Sequence, residues 1–356
     1  MRLSDLEHLR KHPAAKFSIE FVNGLPYTIV SYTYADSDFW KLPNATECRG
    51  IVFDNTQQCV SRPFEKFFSI GEREDTQLHS IPDAVLTLEK RDGSMIHPIL
   101  QNTTVTFKTK ASFYSDVALL ANERVKQHPG VIELCSNLMN VGYTPIFEFT
   151  SKEYPVVLVY DSDPFVLLAA RNNQTGEYLE WHKLEQYAEH YNVPLITKYN
   201  KSIHECIAES ESLTDFEGYV FILKNKKRVK LKTQWYIVNH RVKTAYRERD
   251  AALDVAMNRI DDIKILLSNN NYSLDPLHHI ETQVVSEFLY LENTVSSILN
   301  EDTHLTAKEF AMKHRGNKLF PLLMSGYNKK PIDYIKYWKN NYWKKYSLAV
   351  LYNKSF

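Results

Sequence analysis

The sequence predicts an α+β part followed by an all-helical part, and two observations carry that prediction. Up to about residue 237, short β-branched or aromatic runs bounded by polar turns alternate with a few helical stretches. After about residue 244 the apolar spacing becomes almost wholly helical. A length of 356 residues suits two domains at roughly 150 residues each, placed at 1–243 and 244–356.

Residues 17–34 read FSIEFVNGLPYTIVSYTY, two strand-like segments around Asn23-Gly24, which is a hairpin signal. Strands are expected next at 47–54, 84–90, 95–100, 105–110, 146–150, 156–160 and 165–170, each β-rich and flanked by turn residues. Between them, 116–128 and 182–191 repeat apolar residues at helical spacing. Segments 219–223 and 229–237 read as the last strands, giving this part an antiparallel flavour. Helices are expected at 251–267, 276–299, 306–314 and 332–351. There is no internal repeat and no low-complexity segment.

Composition excludes several classes. With 44% hydrophobic and 24% charged residues, the chain reads as globular, not disordered or membrane-embedded. The 43 Lys+Arg balance 43 Asp+Glu, so affinity for a polyanion must come from local clustering. The first 17 residues hold no apolar block, so no secretory signal or membrane anchor is expected, and a cytosolic setting follows. Cys48, Cys59, Cys135 and Cys206 make no CxxC pair and are expected as free thiols. The closest glycines, Gly316 and Gly326, are ten residues apart, which excludes a Walker loop and a GxGxxG turn. No HExxH, zinc-ligand spacing or GxSxG elbow is present.

The candidate chemistry lies in four short segments. Lys90 ends an apolar run three residues before Gly93, where a sheet could hold it at a pocket floor as a nucleophile; the structural alternative is a solvated surface turn. Glu148 alternates with Phe147 and Phe149 and so points to the opposite face. Glu217 leads into a strand, and Lys230 and Lys232 share one strand face at period two. As edge-strand charges each would be unremarkable. Together they supply a nucleophilic amine, acidic groups for a metal or ribose, and paired cations for a triphosphate. Residues 224–249 add local positive charge, ten Lys/Arg against Glu248 alone. Residues 327–356 combine seven lysines with nine aromatics, suited either to unpaired bases or to an amphipathic helix packed on its own core.

The ordered set KRDG, FEF, EGYV and VKLKTQWY resembles motifs of the lysine nucleotidyltransferase superfamily, which includes ATP-dependent ligases and mRNA capping enzymes. SYTYADSDFWKLPNATECRGIVFD, SRPFEKFF, FKTKAS and LLAARNNQTGEY are more closely similar to the bacteriophage RNA ligase 1 family, over about residues 27–236. The helical part matches chiefly at 260–263. This resemblance implies a nucleotidyltransferase domain of ATP-grasp-like antiparallel sheets with flanking helices, then an all-α domain for RNA or tRNA specificity. It implies Lys90 as the adenylated lysine and contacts to ATP from Tyr32, Arg49, Lys66, Lys90, Glu148, Lys230 and Lys232. It further implies Lys110 as an essential basic residue, Glu217 in the nucleotide and metal site, and Asp261, beside Asp262, as a metal-associated aspartate. Arg91 departs from the acidic residue common in the family at that position.

The implied activity is ATP-dependent sealing of 5′-phosphate and 3′-hydroxyl RNA ends through lysyl-AMP, with Mg²⁺ or a substituting Mn²⁺. The implied partner is single-stranded or nicked-loop RNA, tRNA foremost, met by a monomer in the cytoplasm, a host's if the source is viral. A free lysine with pKa of about 10.4 is neutral in roughly one molecule in a thousand at neutral pH, so Lys230 and Lys232 are expected to depress Lys90. A DNA ligase or capping enzyme would append an OB-fold where this chain is helical. A non-catalytic RNA-binding scaffold would not need every motif lysine and carboxylate.

Overall fold

The structure, a computed structural model, describes residues 1–351 except 34, 163, 259, 270, 271, 349 and 350, with the backbone alone at 241–245, 262, 265, 266 and 269. The chain forms two compact units, Met1–Ile237 and Val238–Phe356.

In the first unit, the hairpin strands β1 (Ala15–Val22) and β2 (Leu25–Tyr32) pair in register from Ala15↔Tyr32 to Val22↔Leu25. Asn23 and Gly24 both take positive φ, 47° and 79°, as a two-residue hairpin turn requires. The hairpin extends through β3 (Arg49–Phe53) and β4 (Cys59–Ser61) into a four-stranded antiparallel sheet. The two-residue strand β5 (Phe68–Ser69) leads to β6 (Ala84–Lys90), β7 (Ser94–Gln101) and β8 (Thr104–Lys108). Helices α1 (Asp116–Arg124) and α2 (Pro129–Asn140) precede β9 (Tyr143–Phe149) and β10 (Phe165–Asn172). The unit closes with α3 (Trp181–His190), β11 (Lys198–Tyr199), α4 (Ile203–Ser210), β12 (Gly218–Leu223) and β13 (Arg228–Lys232). The second sheet runs β10-β9-β7-β8 and the third β11-β6-β12-β13-β5, in which only β13 and β5 pair in parallel.

Alternation on β9 sends Phe147 and Phe149 into a core with Phe107 and Phe165, while α2 covers it with Val131, Leu134, Cys135 and Leu138. Each such side chain contributes roughly 1.5–3 kcal/mol on burial. Glu148 is left on the other face of the sheet.

Several sequence expectations change. Segment 156–160 is no strand, because the N–H groups of Val157 and Leu158 are taken by the Asp92 carboxylate and not by a neighbouring strand. The run at 229–237 stops as a strand at Lys232; the Thr233 hydroxyl then accepts from Tyr236 N–H, and helix α5 (Gln234–Ala245) begins. Helix α1 ends before Pro129, which opens α2 from its first turn. Neither α2 nor α4 was expected, although Ser202 and Glu205 form a capping box that announces α4.

The second unit is helical among its described residues. The expected helix at 251–267 splits into α6 (Glu248–Ala256) and α7 (Ile260–Asn269), with Asn258 at φ 54°. Helix α8 (Asp275–Glu301) buries Leu277, Ile280, Val284, Leu291 and Val295 along one stripe. Beyond it lie α9 (Ala307–His314), the unexpected α10 (Phe320–Tyr327) and α11 (Tyr334–Asn341). The helix read over 332–351 thus ends at Asn341; residues 349, 350 and 352–356 of the basic-aromatic tail lie outside the described residues, as does Tyr34 of the hairpin. In that tail Trp338 and Tyr346 are fully buried in the unit's own core, as the amphipathic-helix reading expects. All four cysteines are free. Among the described residues no helix is long and apolar enough to cross a membrane.

Candidate active site

The third sheet brings three of the four chemical segments together, and Glu148 reaches the same cavity from β9 of the second sheet. On β12, Gly218 lies opposite both Lys90 of β6 and Lys232 of β13, so these two lysines flank one residue that has no side chain. A Cβ on Gly218 would come within 2.0 Å of the Leu231 carbonyl oxygen, and its φ is 149°, so only glycine fits. Glu217, just before it, is almost fully buried and receives both lysines: Lys90 Nζ stands 2.8 Å and Lys232 Nζ 3.1 Å from the same Oε1. Sequence reasoning expected Lys230 and Lys232 to act on Lys90 and placed Glu217 in the nucleotide and metal site, without pairing it to Lys90. The register instead gives it a carboxylate partner shared with Lys232.

Lys90 lines a cavity of about 150 Å³ with Arg49, Glu148, Lys230 and Lys232. Phe67 and Arg228 form part of its wall. Burial pushes Lys230 down to about 7, with neighbouring Lys66, Lys90 and Arg49 adding to the effect. Burial also lowers Arg49, against the opposing pull of Tyr32 and Glu148. Burial pushes Glu148 up to about 8, although Lys90 works the other way. Among the described residues Arg49, Lys66, Lys110 and Lys230 make no carboxylate ion pair. Clustered cations without counter-charges are costly unless an anion arrives.

Tyr32, Lys66 and Lys110 do not line this cavity. They gather beside it: Lys110 Nζ lies 4.1 Å from the Tyr32 ring centre and donates to the Tyr32 carbonyl oxygen at 3.2 Å, while Lys66 Nζ lies 6.0 Å from the same ring. Both lysines are lowered by burial, Lys66 against the pull of Glu72, and Arg49 lowers both further, which ties this cluster to the cavity electrostatically. Asp261 sits on α7 in the second unit, largely exposed, 3.7 Å from Lys264. The Asp262 side chain lies outside the described residues. No group of three or more metal-ligating side chains occurs among the described residues.

Some positioning groups carried no sequence signal of their role. Asp92, two residues after Lys90, is buried and accepts from Val157 N–H at 2.7 Å, Leu158 N–H at 2.6 Å and the Tyr236 hydroxyl at 2.6 Å. It therefore locks the turn after Lys90 to a loop and to the start of α5. Gly93 completes that turn, since a Cβ there would sit 2.6 Å from the Phe149 carbonyl oxygen. Lys108, fully buried and pushed down to about 7 by burial, donates to the carbonyl oxygens of Gly50 and Lys110 at 3.1 and 3.3 Å, joining the segments that present Arg49 and Lys110. Arg91 also lines the cavity, where its guanidinium stacks 3.9 Å over the Tyr160 ring.

A family model described as RNA ligase matches residues 47–236. The chain belongs to this RNA ligase family. The matched span holds every candidate site residue except Tyr32 and Asp261. A protein of Thermovibrio ammonificans whose name carries the words RNA ligase is 30% identical over 257 residues, covering 67% of this chain and 66% of that one. RNA ligase 1 of bacteriophage TS2126 is 27% identical, covering 58% of this chain and 55% of its own length. In a protein of Autographa californica nuclear polyhedrosis virus, whose name joins a polynucleotide kinase to an RNA ligase, the 27% identical region covers 65% of this chain and 36% of that protein. The chain thus spans less than two thirds of each of these relatives. A solved archaeal ATP-dependent RNA ligase superposes with a TM-score of 0.48 at 14% identity, over 84% of this chain and 79% of that one.

The raised Glu148 makes a test of the site's electrostatics. Unfolded, its carboxyl titrates near 4.5; folded, near 8. Between those values the folded state holds a proton that the unfolded state has lost, so stability falls as pH rises through this window. Glu148→Gln mimics the neutral form. In chelator, its melting temperature is expected to exceed that of the unchanged protein by a margin that grows between those two pH values and is constant above the higher. A margin independent of pH would show that Glu148 is not held neutral.

Proposed function

We propose that this member of the RNA ligase family is an ATP-dependent RNA ligase that joins 5′-phosphate and 3′-hydroxyl ends through a lysyl-AMP intermediate on Lys90. One observation carries the reading: a strand-end amine, paired with a buried carboxylate, stands in a cavity with Arg49 and Lys230, which make no carboxylate ion pair among the described residues. That is an arrangement for a nucleophile beside a polyphosphate.

In the first step the Lys90 amine attacks the α-phosphorus of ATP in line. The N–P bond forms, the bond to pyrophosphate breaks, and the lysine proton leaves; Glu217 Oε1, at 2.8 Å, is within reach to accept it. Lys230 and Arg49 are suited to hold the departing phosphates, with Lys66 and Lys110 beside them. In the second step an oxygen of the RNA 5′-phosphate attacks the same phosphorus and Lys90 regains its proton as it leaves. In the third, the 3′-hydroxyl attacks the RNA phosphorus and AMP departs.

Glu148 fits a divalent cation. Its carboxyl, held neutral by burial, would ionise beside one, and a single carboxylate plus substrate phosphates is how magnesium is commonly bound. Magnesium, or manganese in its place, would neutralise charge on the triphosphate. Asp261 is proposed as a further metal-associated carboxylate. The helical domain at 244–356 is assigned to RNA specificity, with damaged tRNA as the substrate to try first.

The test is direct. With magnesium and α-labelled ATP, the full chain is expected to acquire acid-resistant label that a 5′-phosphorylated RNA then removes. Label from GTP alone would point to capping chemistry, and label from neither nucleotide would overturn the reading.

A further inference from the structure

A second cleft, of about 480 Å³, lies in the same unit as the lysine cavity and shares Phe67 and Arg228 with its wall. Apart from Lys66, nothing else lining it takes part in the chemistry above. Its lining includes four cations, Lys66, Arg73, Lys227 and Arg228, against two carboxylates, Glu65 and Asp75. Asp75 is shared between Arg73 at 3.3 Å and Lys227 at 3.8 Å, and these exposed pairs are weak enough to yield to a phosphate. Within the cleft the Arg73 guanidinium lies 4.5 Å over the Phe68 ring, and Trp40 meets that ring edge-on at 5.8 Å.

A guanidinium stacked on an aromatic ring, next to a second aromatic and an exposed lysine, is the combination that holds an unpaired base and its phosphate. A triphosphate tail needs only the charges and would leave the aromatic platform without a role. Placement argues the same way, because Phe67 and Arg228 line both cavities, which puts the cleft next to the place where an RNA 5′-phosphate would meet Lys90.

We infer that this cleft binds an unpaired nucleotide of the RNA strand next to the reacting 5′-phosphate, its base on the Trp40, Phe68 and Arg73 platform and its phosphate on Lys227. The inference rests on the RNA ligase reading above.

Binding of a fluorescent 5′-phosphorylated oligoribonucleotide to the full chain tests it, with ATP-dependent labelling measured in parallel. Arg73→Ala is expected to weaken RNA binding about tenfold, with Arg73→Lys failing to restore it, because the planar stack and not the charge is lost. Lys227→Ala is expected to make the salt dependence shallower by about 0.7 in log–log slope, one single-strand phosphate contact. Labelling by ATP alone is expected to stay within about twofold in all three. Unchanged RNA affinity, or weaker ATP labelling at unchanged RNA affinity, overturns the cleft assignment. If the unchanged protein takes no label at all, the ligase reading fails first and the two failures are told apart.

Discussion

Lys90→Ala is expected to abolish formation of the acid-stable AMP adduct, by at least about 10⁴-fold, the scale on which deleting an enzymatic nucleophile acts. Lys90→Arg is expected to do the same, since a guanidinium cannot lose its proton to attack phosphorus. Neither change should unfold the protein. Lys90 is only partly buried, and Glu217 keeps Lys232 as a partner at 3.1 Å when Lys90 is gone. An RNA supplied with a pre-adenylated 5′ end and a free 3′-hydroxyl separates the roles further: Lys90→Ala should still join it, because the third step uses AMP already on the RNA. Intact-mass measurement of the adduct and gel analysis of sealing check both arms. Adduct surviving on the alanine variant would place the nucleophile on another residue. Glu217→Gln is the companion variant, keeping the shape but removing the charge that both lysines share.

What could be read in advance follows from periodicity. Lys230 and Lys232 on one strand face, and Glu148 opposite two core phenylalanines, are statements about period two, and they hold in β13 and β9. Lys90 at a strand end was readable from the turn chemistry that follows it. What was not readable depends on register between strands. That Glu217 answers both Lys90 and Lys232 follows only once Gly218 is seen opposite each of them. Asp92 looked like a turn residue, and nothing local reveals that its carboxylate would take the N–H groups of Val157 and Leu158, dissolving the strand expected there. Helix α2 was hidden because Pro129-Gly130 resembles a break, although proline suits a helix's first turn. The segment at 229–237 failed for a related reason: β-branched and aromatic residues continue past Lys232, but the Thr233 hydroxyl caps a helix instead.

Glu47→Gln is expected to destabilise the first unit by about 3–5 kcal/mol, because it removes the carboxylate that two buried arginines share and leaves Arg171 only the more exposed Glu65 at 3.4 Å. Glu47 accepts from Arg62 at 2.7 and 3.2 Å and from Arg171 at 2.8 and 2.9 Å, and all three side chains are nearly inaccessible. Burial raises Glu47, but the two arginines outweigh it and hold its carboxyl below its ordinary value. Arg62 also donates to the Gln174 carbonyl oxygen at 3.0 Å and Arg171 to the Pro63 carbonyl oxygen at 2.8 Å. The set therefore clamps three segments far apart in sequence, and these are the segments ECRG, SRPF and AARNNQTG that mark the family resemblance. Their shared role is structural, yet it reaches the site, since Arg49 follows Glu47 by two residues and Arg171 also reaches Glu65 at 3.4 Å. Urea unfolding followed by a probe within residues 1–237 reads the loss, and loss of ATP labelling should follow it. The effects of Glu47→Gln and Arg171→Met should not add, because a pair in one buried network shares its energy. Strict additivity would mean that the three side chains act independently, and the clamp would then explain neither the fold nor the position of Arg49.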